Sequence, residues 1–241
     1  MDRLAFLSSL SAAVAAGTLK VASAGLPATA AGIEIPQTSL ARDATAVALS
    51  SEPIEVFRHS LRTFLFAELI ARKRGIEHDR ELVYVASILH DTGLSPEHMS
   101  ERDRFEVDGA NLARALLQQH GVEGAKADVV WDAISLHDQG NIAKYKQPEV
   151  MLVSAGVGAD FGAFLPQLER KDVVAVLQTA PRDKFVEVFL ASTAAFVRKK
   201  PQATGNSWVT DVGYRMVPGF HLDNFVDEVK EDPFAGYTTN M

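Results

Sequence analysis

Apolar residues recur at a spacing near 3.6 in segment after segment of the chain, and this period constrains the fold more than any other feature. Between Glu52 and Arg74 they fall on one broad helical face, at Val56, Leu61, Phe64, Leu65, Leu69 and Ile70. No segment shows the alternation of β-branched and polar residues that is typical of strands. The sequence therefore predicts an all-α fold, a single bundle of helices joined by short connections.

Further helices are predicted wherever the same spacing resumes between glycine and proline breaks. Asp79 is a candidate N-cap for a helix that ends before Gly93 and Pro96. The remaining predicted helices span Leu40–Leu49, Asp103–Gln119, Lys126–Leu136, Pro148–Leu165 and Asp183–Lys199.

The 241 residues divide into three parts by composition. Residues 33–200 carry the helical pattern and form the predicted domain. Residues 201–241 are predicted to be a loop-rich tail that packs on this domain, with a short helix at Asp223–Lys230. Residues 1–32 are rich in alanine, and they form either an N-terminal extension or a signal peptide. The first alternative favours a cytoplasmic protein and the second an exported one, so the location stays open.

Composition also excludes several classes of function. The chain has no cysteine, which excludes a disulfide framework, a cysteine nucleophile and a cysteine-ligated metal. Its net charge of −7 disfavours nucleic acid as a partner, because phosphate binding requires clustered lysine and arginine. An uninterrupted run of ~20 apolar residues that would span a membrane is missing. The expected partner is therefore a small-molecule substrate, while the oligomeric state stays open.

The dipeptide His-Asp occurs three times, at residues 78–79, 90–91 and 137–138. The first lies in a charged stretch before a helix and is interpreted as a solvated cap. His90 and Asp91 instead follow the apolar run from Leu82 to Leu89. Burying two such polar side chains is costly unless a partner compensates. A metal ion is one such partner, and a hydrogen-bonded polar pair at a helix end is the alternative.

Two more polar residues lie in apolar surroundings. His59 belongs to the helix with the broad apolar face, and Asp160 lies in the almost uncharged run LVSAGVGADFGAF. With His90 and Asp91 they form a set of two imidazoles and two carboxylates, which suits zinc, iron or manganese. Such a metal can lower the pKa of water enough to give a nucleophile near neutral pH. The pattern thus predicts His59, His90, Asp91 and Asp160 as metal ligands.

The order of these residues, H…HD…D, resembles the signature of the HD-domain superfamily, which is helical and includes many phosphohydrolases and some lyases and oxygenases. Between roughly Ile35 and Phe189, six runs in order are also similar to the cyanamide hydratase branch: HSLRTFLFAELIA, DRELVYVASILHDTGL, RFEVDGANLARALL, VWDAISLH, GVGAD and PRDKF.

This resemblance implies Zn²⁺ as the cofactor, with Fe²⁺ or Mn²⁺ as alternatives. It also implies a hydratase or lyase in which a metal-activated water adds to a small nitrile-like substrate, as when cyanamide becomes urea. The alternative is a phosphohydrolase acting on a nucleotide or another phosphoester. Few basic side chains accompany the His-Asp motif, which favours a weakly charged substrate over a phosphate.

His137 follows its predicted helix much as His90 does, and it matches the last histidine of the VWDAI-x-LH motif of that branch. Three roles are open for it: a metal ligand, a pocket residue that transfers a proton, and a structural histidine. We favour the catalytic pocket role, since an imidazole exchanges protons near neutral pH, with Asp91 as the second candidate for that transfer. Glu106 and Asp108 either stabilise a helix N-terminus or hydrogen-bond a ligand histidine.

Overall fold

The computed structural model describes residues 26–205, 207–224 and 226, which comprise one two-stranded hairpin and ten α-helices. Strands β1 (Thr29–Ala30) and β2 (Ile33–Glu34) pair antiparallel. The helices are α1 (Ser39–Ser51), α2 (Ile54–Arg74), α3 (Arg80–Leu89), α4 (Phe105–Gln119), α5 (Ala125–Ser135), α6 (Gly140–Ala143), α7 (Pro148–Asp160), α8 (Arg170–Thr179), α9 (Phe185–Lys199) and α10 (Trp208–Met216). The prediction of an all-α fold is confirmed.

Helix α2 occupies the centre of the bundle. Every residue from Val56 to Ala71 except Arg58 is buried, as expected for a helix that other elements surround. It packs most extensively against α7 and also against α3, α8 and α9. Gly75 adopts a left-handed conformation with φ of 65° and ends the helix, a common way for a helix to stop.

The contact between α2 and α7 depends on a glycine. A Cβ atom added at Gly156 would lie 2.2 Å from the carbonyl oxygen of Thr63, which is far inside van der Waals contact. Only glycine allows the two helix backbones to approach this closely. The approach brings His59 of α2 and Asp160 at the end of α7 within hydrogen-bonding distance.

The apolar core has two parts. The larger cluster joins the hairpin with α1, α2, α3, α4, α5 and α7, and it includes Ala143 of α6 and Val176 of α8. The smaller one is rich in phenylalanine and forms around α9 and α10. The predicted loop-rich tail therefore contains a helix that packs on the domain, because the side chains of Val209 in α10 and Phe196 in α9 both belong to this smaller cluster.

Most predicted helices are confirmed, with ends that shift by a few residues. Helices α6, α8 and α10 were not predicted, although Ser207 gives α10 an ordinary N-cap by accepting a hydrogen bond from the Val209 amide. Helix α7 ends at Asp160 rather than Leu165. The chain leaves the helix there because Gly162 has a φ of 100°.

Two sequence predictions lie mainly outside the described residues. They are the leader-like segment, of which residues 1–25 are not described, and the helix at Asp223–Lys230, of which residue 225 and residues 227–230 are not described. Contact with the core begins before residue 33, since Ala30 is buried in the larger cluster. Among the described helices, none has both the length and the apolar character that a membrane span requires.

Candidate metal centre

Four of the predicted residues meet at one end of the bundle. His59 lies on α2, His90 and Asp91 follow α3, and His137 follows α5. All four side chains are almost completely buried. Three helices thus deliver the polar groups to one place, and α3 and α5 do so through residues directly after their last turns.

His90 and His137 are held in the same way. In each ring Nδ1 lies 2.7 Å from the backbone carbonyl oxygen three residues earlier, in Ser87 and Ile134 respectively. A carbonyl oxygen only accepts hydrogen bonds, so Nδ1 carries a proton in both rings. When the imidazole is neutral, Nε2 therefore presents a lone pair, which is the atom and state that bind a metal.

His59 is oriented by a carboxylate instead of a carbonyl. Its Nδ1 donates a hydrogen bond of 2.7 Å to Oδ2 of Asp160. Its Nε2 then faces Nε2 of His90 at a distance of 3.2 Å. With both Nδ1 atoms protonated, two lone pairs point at each other in the neutral rings, an arrangement that a cation between them would stabilise.

Asp91 faces the same three nitrogens. Its carboxylate oxygens lie 3.2 Å from Nε2 of His90, 3.6 Å from Nε2 of His59 and 3.9 Å from Nε2 of His137. Both oxygens are buried, and neither has a hydrogen-bond partner in the described part of the chain. An unpartnered buried carboxylate is costly. A divalent cation fits this donor set, and ligand atoms of His59, His90 and Asp91 all lie within 4.8 Å of one another.

The protonation states agree with this picture for most of the site. Burial lowers the pKa of His59. Burial and the nearby charge of His90 together lower the pKa of His137 to about 4. Burial opposes ionisation of Asp91, but His90 and His59 outweigh it and hold the pKa of Asp91 below its usual range. His90 differs, because the Asp91 carboxylate overcomes the effect of burial and raises its pKa. A bound cation would replace protonated His90 as the partner of the negative charge on Asp91.

Asp160 lies beside this cluster and is fully engaged with other groups. Besides His59, it accepts hydrogen bonds from Nε and Nη2 of Arg62, at 2.7 and 2.8 Å, and Nη1 of Arg182 lies 2.7 Å from its Oδ1. Burial raises the pKa of Asp160, but the bonds from His59 and Arg62 outweigh burial and lower it overall. Arg62 comes from α2 and Arg182 from the segment before α9, so only the tertiary structure brings both arginines to Asp160.

Glu52 borders a second cavity, of about 370 Å³, that also reaches Asp91. Its carboxyl oxygens are buried and lack a hydrogen-bond partner among the described residues. Burial, with a further contribution from the Asp91 charge, raises the pKa of Glu52 well above its usual value. Glu52 is therefore stabilised as an uncharged acid, whereas Asp91 is stabilised as an anion that needs a counter-charge.

The acidic residues of α4 lie away from the cluster. Asp108 forms a buried ion pair of 2.7 Å with Lys200 and so ties α4 to the end of α9. Glu106 pairs with Arg104, which also contacts Asp138. Neither Glu106 nor Asp108 hydrogen-bonds a histidine of the cluster. Of the two roles predicted for them, the structure therefore supports stabilisation and packing of the helix rather than orientation of a ligand histidine.

The cluster forms part of the wall of a cavity of about 830 Å³. Apart from the cluster, this wall is mostly apolar and aromatic. The basic side chains along it are those of Arg74 and Lys144, and both residues are exposed. A polar cluster compatible with metal binding, in the wall of a large and mostly apolar cavity, is the usual arrangement of an enzyme site.

Comparison with protein families finds one matching domain. A model of the HD domain matches residues 56–175. This chain contains an HD domain. The matched HD segment includes His59, His90, Asp91, His137 and Asp160, and it supports membership of the HD superfamily. No curated protein matches the chain.

The HD domain and the His-His-Asp cluster together indicate a metal-dependent enzyme of the hydrolase type. The family match gives the superfamily and no finer branch. The choice between hydration and phosphoester hydrolysis therefore depends on the chemistry of the cavity.

Proposed function

We propose that this HD-domain protein is a metal-dependent hydratase that adds water to the carbon of a nitrile-like substrate. One observation carries the proposal: Nε2 of His59, Nε2 of His90 and the buried Asp91 carboxylate, which has no hydrogen-bond partner among the described residues, lie within reach of one ion. They lie in the wall of a mostly apolar cavity that His137 also borders. Histidine nitrogen and carboxylate oxygen are the ligands that zinc takes from proteins, and iron and manganese accept the same set.

The proposed ligands are His59, His90 and Asp91. When bound, the metal supplies Lewis acidity to the substrate and to water. The sequence predicts Asp160 as a fourth ligand, but its oxygens already accept bonds from His59 and Arg62 and lie beside Arg182. We therefore propose that Asp160 orients His59 and fixes its tautomer, a role that carboxylates often have behind metal-binding histidines.

His137 is the proposed catalytic base. Its Nε2 carries no proton in the neutral ring, because the Ile134 carbonyl holds the proton on Nδ1. It can therefore accept a proton from the attacking water while the water oxygen bonds to the nitrile carbon. His137 then returns this proton to the nitrile nitrogen, which gives the imidic acid and, after tautomerisation, the amide. This transfer in both directions is one form of the proton-transfer role that the sequence favours for His137, and Asp91 is left to bind the metal.

The charge of the cavity favours a neutral substrate. Phosphate groups are usually held by several arginine or lysine side chains. The described wall of this cavity offers Arg74 and Lys144, and the Arg74 guanidinium already donates a hydrogen bond to Gln167. These two residues support the second candidate, a phosphohydrolase, if both turn towards one phosphate.

Metal analysis and a paired substrate panel test this proposal. The purified protein is expected to hold about one divalent metal per chain. The metal-loaded protein should release urea from cyanamide or amides from organic nitriles, and chelation should abolish this activity. Phosphate release from a nucleotide panel, with no hydration of any nitrile, would establish the phosphohydrolase instead. A metal-loaded protein that is inert on both panels would contradict both candidates.

A further inference from the structure

The cavity is far larger than the smallest nitrile substrate requires. Its volume is about 830 Å³. Cyanamide occupies on the order of 60 Å³, about twice the share of one water molecule in the liquid. Cavities of roughly 300–1,000 Å³ are the size that holds ligands with several rings or a long chain. The space beside the cluster therefore has room for a large substituent.

One side of the cavity is a continuous aromatic surface. The ring of Phe185 stacks on His59 with centroids 4.9 Å apart, Phe189 lies 5.3 Å from Phe185, and Trp208 stacks on Phe189 at 5.3 Å. Phe161 lies 5.4 Å from His59 and borders the same space. We call Phe161, Phe185, Phe189 and Trp208 the aromatic wall. It leads from a proposed metal ligand outwards, and it presents apolar aromatic surface to the cavity, against which a ring or an alkyl group could pack.

Two apolar side chains of the cavity are strongly exposed. Phe161 is 55% exposed and Val186 is 58% exposed. Their exposure leaves apolar surface in contact with water next to the proposed metal centre, and such surface is characteristic of binding sites. An apolar ligand group would cover it.

We infer that the substrate carries an aromatic or similarly bulky apolar group, which lies along the aromatic wall while its nitrile-like carbon reaches the metal cluster. This inference rests on the proposed hydration and specifies its substrate class. Aryl and arylalkyl nitriles fit the cavity, whereas cyanamide would leave the aromatic wall without a contact.

Tryptophan fluorescence can test this inference without any turnover. The chain has two tryptophans, so Trp131→Phe leaves Trp208 of the aromatic wall as the sole one. Trp131 lies on α5, where its indole N–H donates to Asn111. The probes are benzonitrile, its isostere phenylacetylene, acetonitrile and cyanamide, each titrated with the apo protein and the metal-loaded protein. The aromatic probes should change the Trp208 emission saturably, with a Kd about 100-fold lower than that of acetonitrile.

One substitution in the aromatic wall and one control substitution outside it test whether the aromatic probes bind against this wall. Phe161→Ala should raise the Kd of benzonitrile about tenfold, because it removes an exposed ring from the aromatic wall. Tyr145→Ala removes a ring that is 81% exposed and does not border the cavity, so it should leave the Kd unchanged. Because both rings are exposed, neither substitution removes a buried part of the core.

The outcomes separate this inference from the proposed function. Saturable binding of aromatic probes with hydration of benzonitrile supports both. Aromatic binding without hydration of any nitrile supports the apolar substrate class and contradicts the hydratase. Hydration of cyanamide with no saturable binding of either aromatic probe supports the hydratase and overturns the inference. Equal Kd values for acetonitrile and benzonitrile would overturn it as well.

Discussion

The two ends of α3 carry the same dipeptide in opposite situations. At the N-terminal end, His78 contacts Glu68 at 2.6 Å, and Asp79 accepts hydrogen bonds from the amides of Glu81 and Leu82. At the C-terminal end, Nε2 of His90 faces another ring nitrogen and both oxygens of Asp91 lack a hydrogen-bond partner in the described residues.

The comparison distinguishes polar groups that are satisfied within the protein from polar groups that a ligand would have to satisfy. The N-terminal pair is satisfied by nearby protein groups, including Lys126, whose ammonium lies 2.9 Å from Asp79. The C-terminal pair is equally polar and more deeply buried, yet it is left with lone pairs that only a cation or a proton can satisfy. The dipeptide itself is the same, so the surroundings decide its role.

The largest effect expected from this comparison concerns metal content. Asp91→Asn should reduce the metal from about one ion per chain to nearly none, because it removes the only anionic member of the proposed ligand set. The matched substitution Asp79→Asn should leave full metal content. Elemental analysis of both purified variants makes the measurement. Equal metal in the two variants would break the distinction between the two ends of α3.

A second variant addresses the other helix-end histidine near Asp91. His137→Ala should keep the metal and lower kcat by ~10²–10⁴-fold, the usual contribution of a positioned proton-transfer group. His78→Ala, the control, should leave kcat unchanged, since His78 binds Glu68 away from the cavity. If His137→Ala loses metal as completely as His59→Ala, His137 is a ligand and another group transfers the proton.

A third variant tests whether Asp160, whose carboxylate is already paired with His59 and Arg62, contributes less to metal affinity than Asp91 does. Asp160→Asn should weaken metal affinity by ~10–100-fold without abolishing it, as is typical when the group behind a ligand histidine is changed. Competition with a chromophoric chelator measures this affinity. A loss as complete as that of Asp91→Asn would show that Asp160 is a ligand, as the sequence predicts.

The smallest effect belongs to the satisfied end of α3. Asp79→Ala should destabilise the protein by about 1 kcal/mol, because the side chain caps the helix. Lys126→Ala should destabilise the protein less than Asp79→Ala does, since the Lys126 side chain is exposed and solvent screens its pair with Asp79. Urea denaturation gives both values, and kcat should not change in either variant. A loss of activity in Asp79→Ala at full stability would place this end of α3 in the site.

Much of the cluster could be predicted from sequence because its members stand out locally. His59, His90 and Asp91 are polar residues in strongly apolar helical segments, and they are the residues that the structure brings together. The confirmed helices have the same origin, since a period of 3.6 is a local property of the chain. Helix α10 was missed because its short apolar pattern follows Pro201 and Gly205, which indicate a loop.

The amino-acid sequence by itself determined the helical fold, the absence of cysteine chemistry and three residues of the proposed metal centre. Only the tertiary structure decided which nitrogen of each histidine is free, because the hydrogen-bond partners of Nδ1 come from the folded backbone and from Asp160, which is 101 positions from His59. The tertiary structure also decided the size and the aromatic wall of the cavity. These depend on how α9 packs beside α2 and how α10 packs on α9, and no local pattern records the distance between side chains on separate helices.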